Sequence, residues 1–147
     1  MIKGIFMNMK RYFESYRCIN SGDIRGGMEF AVRQILHVLP EFTEHFEKAY
    51  SECGFYKPTE NVDWTTGFWT GEIWLAYEYA LDNADKFEAG AADKLRAAAE
   101  IQMKSFLYRI DNKIEVDHHD MGFLYSPSCV CLLYTSDAAD DLTRVDL

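Results

Sequence analysis

Hydrophobic residues recur every three or four positions over the first third of the chain, starting near Met28. The recurring residues are Phe30, Ile35, Val38, Leu39, Phe42, Phe46 and Tyr50. This spacing predicts a helix with one buried face from Met28 to about Tyr50. Pro40 lies inside the run. We expect it to kink or divide the helix, because proline removes a backbone donor and clashes with the preceding turn.

A second helix is predicted after a break over residues 51–63. It begins near Thr65 or Thr66, whose hydroxyl groups suit a helix N-cap, and runs to about Leu81. Its apolar residues cover most of its circumference, so the helix requires neighbours on more than one side. These residues are Phe68, Trp69, Ile73, Trp74, Leu75, Tyr77 and Tyr79.

A third helix is predicted from about Asp85 to Arg109, with Gly90 as a local break. Its apolar stripe consists of Leu95, Ala99, Met103, Phe106 and Ile110. A fourth helix is predicted to start between Phe123 and Ser126, after a loop over residues 111–122. Because no segment shows the period-two alternation of a strand, the predicted fold class is all-α.

Composition and charge narrow the class of protein. The chain has 147 residues, the length of one ordinary domain, and 48% of them are hydrophobic, which is enough for a core. A net charge of -9 argues against a nucleic-acid partner, which would require clustered Lys and Arg. No window approaches the ~18 consecutive apolar residues of a membrane span, so no membrane partner is expected either.

The cysteines are Cys18, Cys53, Cys129 and Cys131. They show neither the paired CxxC motifs of a zinc site nor the density of a disulfide scaffold. We therefore expect free thiols in a reducing compartment, a cytoplasmic location, and no cofactor.

The two ends of the chain differ in character from its middle. Residues 1–27 carry Lys and Arg in excess over acids; they are either upstream sequence read as protein, with Met28 as the natural start, or an N-terminal extension. Residues 131–147 are predicted to be an artefactual tail. Read back into codons, Cys131–Asp140 fit TGT CTC TTA TAC ACA TCT GAC GCT GCC GAC, which resembles a translated transposon-end sequencing adapter.

Two loop-centred clusters between these ends carry candidate chemistry, namely NVDWTTGFWTGEIWLAYEY (61–79) and VDHHDMGFLYSPSC (116–129). Sugar-binding sites combine aromatic faces with carboxylates and imidazoles, and both kinds of residue are present. We expect Phe68, Trp69 and Trp74 to pack between helices. Trp64 differs because it precedes the predicted cap, on a loop, where functional residues concentrate.

The segment Asp117 to Asp120 allows two interpretations. Adjacent histidines such as His118 and His119 seldom both face one ion, and no third ligand follows at a recognisable spacing, so metal binding is disfavoured. A histidine next to an aspartate at a helix start is better suited to orienting the carboxylate and tuning its proton affinity. Asp117 is predicted to be a loop or capping residue.

The motifs DWTTGFWTGEIWLAYE (63–78) and VDHHDMGFLYS (116–126) are long, and a helical hairpin is predicted between them. In these motifs the chain resembles the unsaturated glucuronyl hydrolases of glycoside hydrolase family 88, over roughly Met28 to Val130. The resemblance implies that residues 28–130 form part of a glycosidase domain. The implied fold is the first helical hairpins of an (α/α)6 barrel, truncated.

The resemblance also implies functional residues. Trp64 matches the tryptophan of the family's DW pair, which lines the sugar site, and His119 and Asp120 match the last two residues of its HHD motif. The aspartate of that motif is an active-site carboxylate. The implied substrate is a lyase-generated oligosaccharide with a C4=C5 double bond in its terminal uronate, which the enzyme hydrates. The family's principal proton donor is a second aspartate beyond the end of this sequence, so we expect the chain alone to be inactive.

Two alternatives remain open. One is an unsaturated rhamnogalacturonyl hydrolase with the same barrel, although HHD next to MGF favours the first family. The other is a non-catalytic helical interaction module whose aromatic stripe binds a partner helix. Because two hairpins of a closed barrel leave apolar faces uncovered, self-association is also expected.

Overall fold

The computed structural model describes residues 19–130. In chain order its elements are helix α1 (Ser21–Phe42), strands β1 (Phe46–Glu47) and β2 (Pro58–Thr59), helix α2 (Thr66–Asp82), a 3-10 turn (Ala84–Lys86), helix α3 (Ala91–Asp111) and helix α4 (Met121–Tyr125), which continues into a π-helical segment (Ser126–Val130). Helix α2 is central and packs against α1, α3, α4 and the π-helical segment. The all-α prediction is confirmed, since each strand has only two residues.

Helix α1 begins at Ser21, earlier than the predicted start at Met28. The side chain of Asn20 accepts hydrogen bonds from the backbone N–H groups of Gly22 (2.8 Å) and Asp23 (3.0 Å), and Asp23 Oδ2 accepts one from Asn20 N (3.0 Å). This capping box satisfies donors that the first helical turn leaves free. Hydrophobic spacing missed the turn because none of its residues is buried.

The predicted extension of α1 to Tyr50 is wrong, and Pro40 does not divide the helix but lies in its last turn. Side chains satisfy the carbonyl groups at this end. Thr43 Oγ1 donates to Leu39 O at 2.7 Å, and Phe42 O accepts from Trp69 Nε1 at 3.0 Å. The helix therefore ends without needing another turn to satisfy these acceptors.

The segment after α1 still buries an aromatic residue, which explains why its spacing resembled a helix. Phe46 lies in β1, opposite Thr59 of β2, and is completely buried. Its ring packs edge-on against Phe106 of α3, with 5.6 Å between centroids. The short antiparallel pair thus anchors residues 43–65 to the helical core.

Helix α2 has neighbours on several sides, as its all-round apolar content predicts. Its buried residues include Trp69, Ile73, Trp74, Tyr77 and Ala80. Burial of large apolar side chains of this kind stabilises a fold by about 1.5–3 kcal/mol each. The predicted start near Thr65 or Thr66 is confirmed, although the Thr65 side chain makes no capping hydrogen bond.

Helix α3 begins at Ala91, later than predicted, because Gly90 adopts a left-handed conformation with φ of 81°. The predicted apolar stripe is wrong in part. Ile110 is exposed, whereas Gln102 and Arg109 are both buried. The buried face therefore follows Leu95, Ala99, Gln102, Phe106 and Arg109.

Several sequence predictions concern residues outside the described range. These are the tail at 131–147, the thiols of Cys18 and Cys131, and residues 1–18 of the N-terminal segment. Cys53 and Cys129, within the described range, are free. Among the helices of residues 19–130, none combines the length and apolar character that a membrane crossing requires.

Candidate active site

The loop that carries Trp64 is fixed by its neighbour Asp63. One carboxylate oxygen of Asp63 accepts a hydrogen bond from Trp64 N at 2.9 Å, and the other accepts one from Ala49 N at 3.3 Å. The backbone of the loop is therefore held from two directions. Trp64 nevertheless remains 43% exposed, so its side chain is accessible from solvent.

Trp64 belongs to an aromatic surface, which we call the aromatic wall and define as Trp64, Phe68 and Phe123. The Phe123 ring lies 6.0 Å from Trp64 and 5.5 Å from Phe68, measured between centroids. All three side chains are more than two-fifths exposed. Trp69 and Trp74 are buried, as predicted. The prediction that Phe68 packs between helices is wrong.

The second motif places a histidine against a carboxylate. His119 Nε2 lies 3.2 Å from Asp120 Oδ2, and the His119 side chain is 90% exposed while that of Asp120 is 23% exposed. The backbone N–H of Asp120 donates to His118 Nδ1 at 3.2 Å. The adjacent histidines therefore do different things, since one fixes the backbone and the other contacts the carboxylate.

Asp120 occupies the N-cap position of α4, but its side chain makes no capping hydrogen bond. Its carboxylate is thus available to His119 and to a ligand. The backbone carbonyl of Asp120 accepts from Phe123 N at 2.9 Å, which begins the helix. Phe123 of the aromatic wall is therefore one helical turn from Asp120 along the backbone. Asp117 lies exposed in the preceding loop.

Arg109 joins the two motif loops from inside the fold. On one side its guanidinium donates to Asn61 Oδ1 (3.1 Å) and Asp63 O (2.9 Å). On the other it donates to Ile114 O (3.0 Å) and Glu115 O (3.0 Å). The side chain is only 1% exposed, and this burial lowers the pKa of Arg109, while nearby Tyr125 and Glu115 oppose the effect.

Two glycines of α2 allow close packing against the end of the described chain, Gly67 against α4 and Gly71 against the π-helical segment. A Cβ atom on Gly67 would lie 2.2 Å from Leu124 O, and one on Gly71 would lie 2.9 Å from Pro127 Cβ. Both distances are too short for real atoms. Only glycine at these positions lets α4 and the π-helical segment approach α2 this closely, and the approach at Gly67 sets the separation of the two motifs.

The sequence missed Arg109, Phe123 and the two glycines as parts of this site. A signal existed for Arg109, because the stripe that starts at Leu95 and Ala99 continues through Gln102 and Phe106 at intervals of three and four. The pattern of hydrophobic residues alone placed Ile110, and not Arg109, at the end of the buried stripe. Across residues 19–130, no cluster of three or more His, Cys, Asp or Glu side chains has the arrangement of metal ligands.

No protein-family model matches the chain, but curated relatives do. The unsaturated chondroitin disaccharide hydrolase of Streptococcus agalactiae serotype III (strain NEM316) is 41% identical over 122 residues, which are 83% of this chain and 28% of the relative. The unsaturated glucuronyl hydrolase of Bacillus sp. (strain GL1) is 40% identical over 90 residues, 61% of this chain and 21% of the relative. The chain thus spans about a quarter of the length of these relatives.

Solved structures agree with the sequence comparison. A mutant unsaturated glucuronyl hydrolase from Streptococcus agalactiae, complexed with dGlcA-GalNAc6S, is similar with a TM-score of 0.71 and 34% identity, over 90% of this chain and 35% of that chain. The enzyme from Bacillus sp. GL1 gives a TM-score of 0.60 and 33% identity, over 78% and 30%. The resemblance to unsaturated glucuronyl hydrolases is confirmed, and with it the prediction of a truncated helical barrel.

Proposed function

We propose that this chain is the N-terminal part of a glycosidase that hydrates the C4=C5 bond of an unsaturated uronate at the non-reducing end of an oligosaccharide. The observation that supports it most directly is that His119 contacts the Asp120 carboxylate at 3.2 Å, while Asp120 lies one helical turn before Phe123 of the aromatic wall. Homology to unsaturated chondroitin disaccharide hydrolases points to lyase products of glycosaminoglycans as the substrate class.

The proposed reaction is the hydration of a vinyl ether. A proton adds to C4, the positive charge is shared between C5 and the ring oxygen, and the oxygen of a water molecule adds to C5 as that water loses a proton. The resulting hemiketal opens by cleavage of the bond between C5 and the ring oxygen. This leaves a hemiacetal at C1, which releases the remaining sugar. The chemistry therefore needs an acid/base group and a negative charge near C5.

The described residues suit part of this chemistry. The Asp120 carboxylate can hydrogen-bond a sugar hydroxyl and stabilise the cationic transition state, because its oxygens are not used in capping. His119, 3.2 Å away, orients that carboxylate. The aromatic wall can cover the apolar C–H face of a pyranose ring.

We expect the 147-residue chain to show no hydrolase activity by itself. It spans about a third of the structures it resembles, so most of the surface that would enclose the sugar is contributed by other residues. Transition-state electrostatics is strongest in a site from which water is excluded. Loss of the absorbance of the C4=C5 bond on incubation with the purified chain would contradict this expectation.

The proposal is tested with the full-length protein of the source gene. Purified enzyme is incubated with an unsaturated chondroitin disaccharide and with an unsaturated rhamnogalacturonan disaccharide, and the absorbance of the double bond is followed. We expect hydrolysis of the first substrate, and a decrease in kcat of about 100-fold or more in Asp120→Asn. Hydrolysis of the second substrate alone would favour the rhamnogalacturonyl class. No hydrolysis of either would favour a binding module.

We further propose that the isolated chain self-associates. Large apolar side chains remain exposed on α2 and α3, namely Leu75, Leu81, Ile101 and Leu107. Faces of this kind are buried when a barrel closes, and uncovered they favour association. Sedimentation velocity tests this, and a monomer over the whole accessible concentration range would contradict it.

The free thiols of Cys53 and Cys129 support a proposed cytoplasmic location.

A further inference from the structure

We propose that Arg109 is a positioning residue, which fixes the loop of Trp64 relative to the loop of His119 and Asp120 for catalysis. The proposal rests on the function proposed above. Arg109 does not belong to the aromatic wall or to the histidine–aspartate pair. It acts through the backbone segments that lead directly into both.

The first argument is the distribution of its hydrogen bonds. Nε and one terminal nitrogen hold the 111–120 loop through Ile114 O and Glu115 O, and the other terminal nitrogen holds Asn61 Oδ1 and Asp63 O. A planar guanidinium can meet acceptors on two sides because its donors are fixed in a fork. A lysine ammonium at the same place is a point charge and cannot span both loops.

The second argument is that the loop held by Arg109 is strained. Lys113 and Glu115 adopt left-handed backbone conformations, with φ of 53° and 44°. Such conformations are unfavourable for residues with a Cβ atom and persist where surrounding contacts impose them. The two carbonyls that Arg109 binds in this loop belong to Ile114 and Glu115, so the arginine stabilises the strained conformation immediately before the HHD motif.

The third argument is energetic. Within residues 19–130, the hydrogen-bond acceptors of Arg109 are uncharged carbonyl, amide and hydroxyl oxygens. A buried charge without an ion-pair partner costs stability, and an apolar residue in a core position commonly costs less. The buried guanidinium of Arg109 is therefore not explained by stability alone. Its effect on the geometry of the two loops is a role that would account for it.

The structural test uses Arg109→Lys in the 147-residue chain and measures acrylamide quenching of tryptophan fluorescence. Trp64 is 43% exposed, whereas Trp69 and Trp74 are 4% and 3% exposed, so quenching in the folded state reports mainly on Trp64. The matched control is Gln102→Met, which removes a buried polar group from the same face of α3, but one that binds Thr70 of α2 and the end of α1 and contacts neither motif loop. Both variants are measured below their unfolding transitions.

We expect quenching of Trp64 to increase in Arg109→Lys and to stay at the parental value in Gln102→Met. Equal quenching in all three proteins would overturn the proposal. Asn61→Ala removes one acceptor of the guanidinium and is a milder variant, to be used if Arg109→Lys does not fold. It should change quenching in the same direction, and an unchanged value would also overturn the proposal.

The kinetic test uses the same variants in the full-length enzyme. In Arg109→Lys, displacement of the loops by about 1 Å should lower kcat by about 100-fold. Gln102→Met, assayed at the same temperature interval below its own unfolding transition, should keep kcat within twofold of the parent. Equal kcat values in the two variants would overturn the positioning role and leave the proposed function intact. If the parent hydrolyses no unsaturated disaccharide, the proposed function fails. The quenching experiment alone then decides whether Arg109 fixes the relative position of the two loops.

Discussion

Gly67 of α2 lies directly beneath the backbone of Leu124 in α4, so close that an added Cβ atom would be 2.2 Å from the Leu124 carbonyl oxygen and 2.4 Å from that of Phe123. Backbone carbonyls cannot turn aside as a flexible side chain can. The contact therefore fixes how near the helix after the HHD motif comes to the helix after Trp64.

Gly67→Ala should destabilise the protein, because the new methyl group forces α4 away from α2. We expect a loss of about 1–3 kcal/mol, the usual range for overpacking, despite the better helix propensity of alanine. The measurement is urea unfolding followed by circular dichroism. Gly26→Ala is the control, since nothing lies within 4 Å of its Cβ position in α1, and it should stabilise by about 0.5–1 kcal/mol. A stabilised Gly67→Ala would show that the helices are not in contact.

Gln102 and Thr70 should be energetically coupled. Thr70 Oγ1 donates to Gln102 Oε1 at 2.6 Å, and Gln102 Nε2 donates to Phe42 O at 2.7 Å. Gln102→Leu leaves a buried hydroxyl without its acceptor, which costs about 1–3 kcal/mol.

In the double variant Thr70→Val, Gln102→Leu, no buried hydroxyl is left unpaired. The double variant should therefore lose less stability than the sum of the two single variants. Free energies of unfolding from urea titrations measure the difference. Strict additivity would mean that this hydrogen bond does not contribute to stability.

Glu47 should make stability depend on pH. Partial burial, and secondarily the charge of Glu72, raise the pKa of Glu47. The folded state then binds more protons than the unfolded state between the ordinary carboxyl pKa of about 4 and the higher folded value, so stability falls as pH rises through that window.

Glu47→Gln removes this charge, so it should increase stability at neutral pH and have little effect at acidic pH, where Glu47 is already protonated. Urea unfolding midpoints at the two pH values provide the comparison. Glu78→Gln, an exposed carboxyl of α2, controls for the change in net charge. An equal gain at both pH values would exclude burial of the charge as the cause.

Trp64 should contribute to sugar affinity rather than to stability. Because its indole is exposed and contacts Phe123, Trp64→Ala should leave the unfolding midpoint almost unchanged. In the full-length enzyme it should raise KM for an unsaturated chondroitin disaccharide by about tenfold, the loss expected for one aromatic contact. Phe30→Ala, an exposed aromatic residue of α1, should leave KM unchanged. A large decrease in stability with an unchanged KM would assign Trp64 to the core.

Hydrophobic spacing predicted much of the helical framework, but it failed where burial does not follow hydrophobicity. It located α2 correctly because the helix carries tryptophan, isoleucine and tyrosine around most of its circumference. It failed at Phe46, which is buried by a two-residue strand. It also failed on α3, where Ile110 is exposed and Arg109 is buried, since neutral oxygen acceptors from two loops satisfy the guanidinium.

The candidate site likewise contains residues that the sequence predicted and residues that it did not. Residue type and the resemblance of the DW and HHD motifs predicted Trp64, His119 and Asp120 as site residues, because motifs of this kind can be read from a short stretch of sequence. Phe123 could not be recognised in this way. An exposed phenylalanine matters here only because α4 places its ring 6.0 Å from Trp64.

By itself the sequence determined the helical class, the start of α2 and the residues with suitable chemistry, since these depend on local spacing and on side-chain type. Only the tertiary structure decided that the two motifs meet. Gly67 sets the approach of α4, and Arg109 bonds to carbonyls on both loops. Both effects depend on contacts between segments that are distant in the chain, and local patterns of hydrophobic and polar residues do not encode such distances.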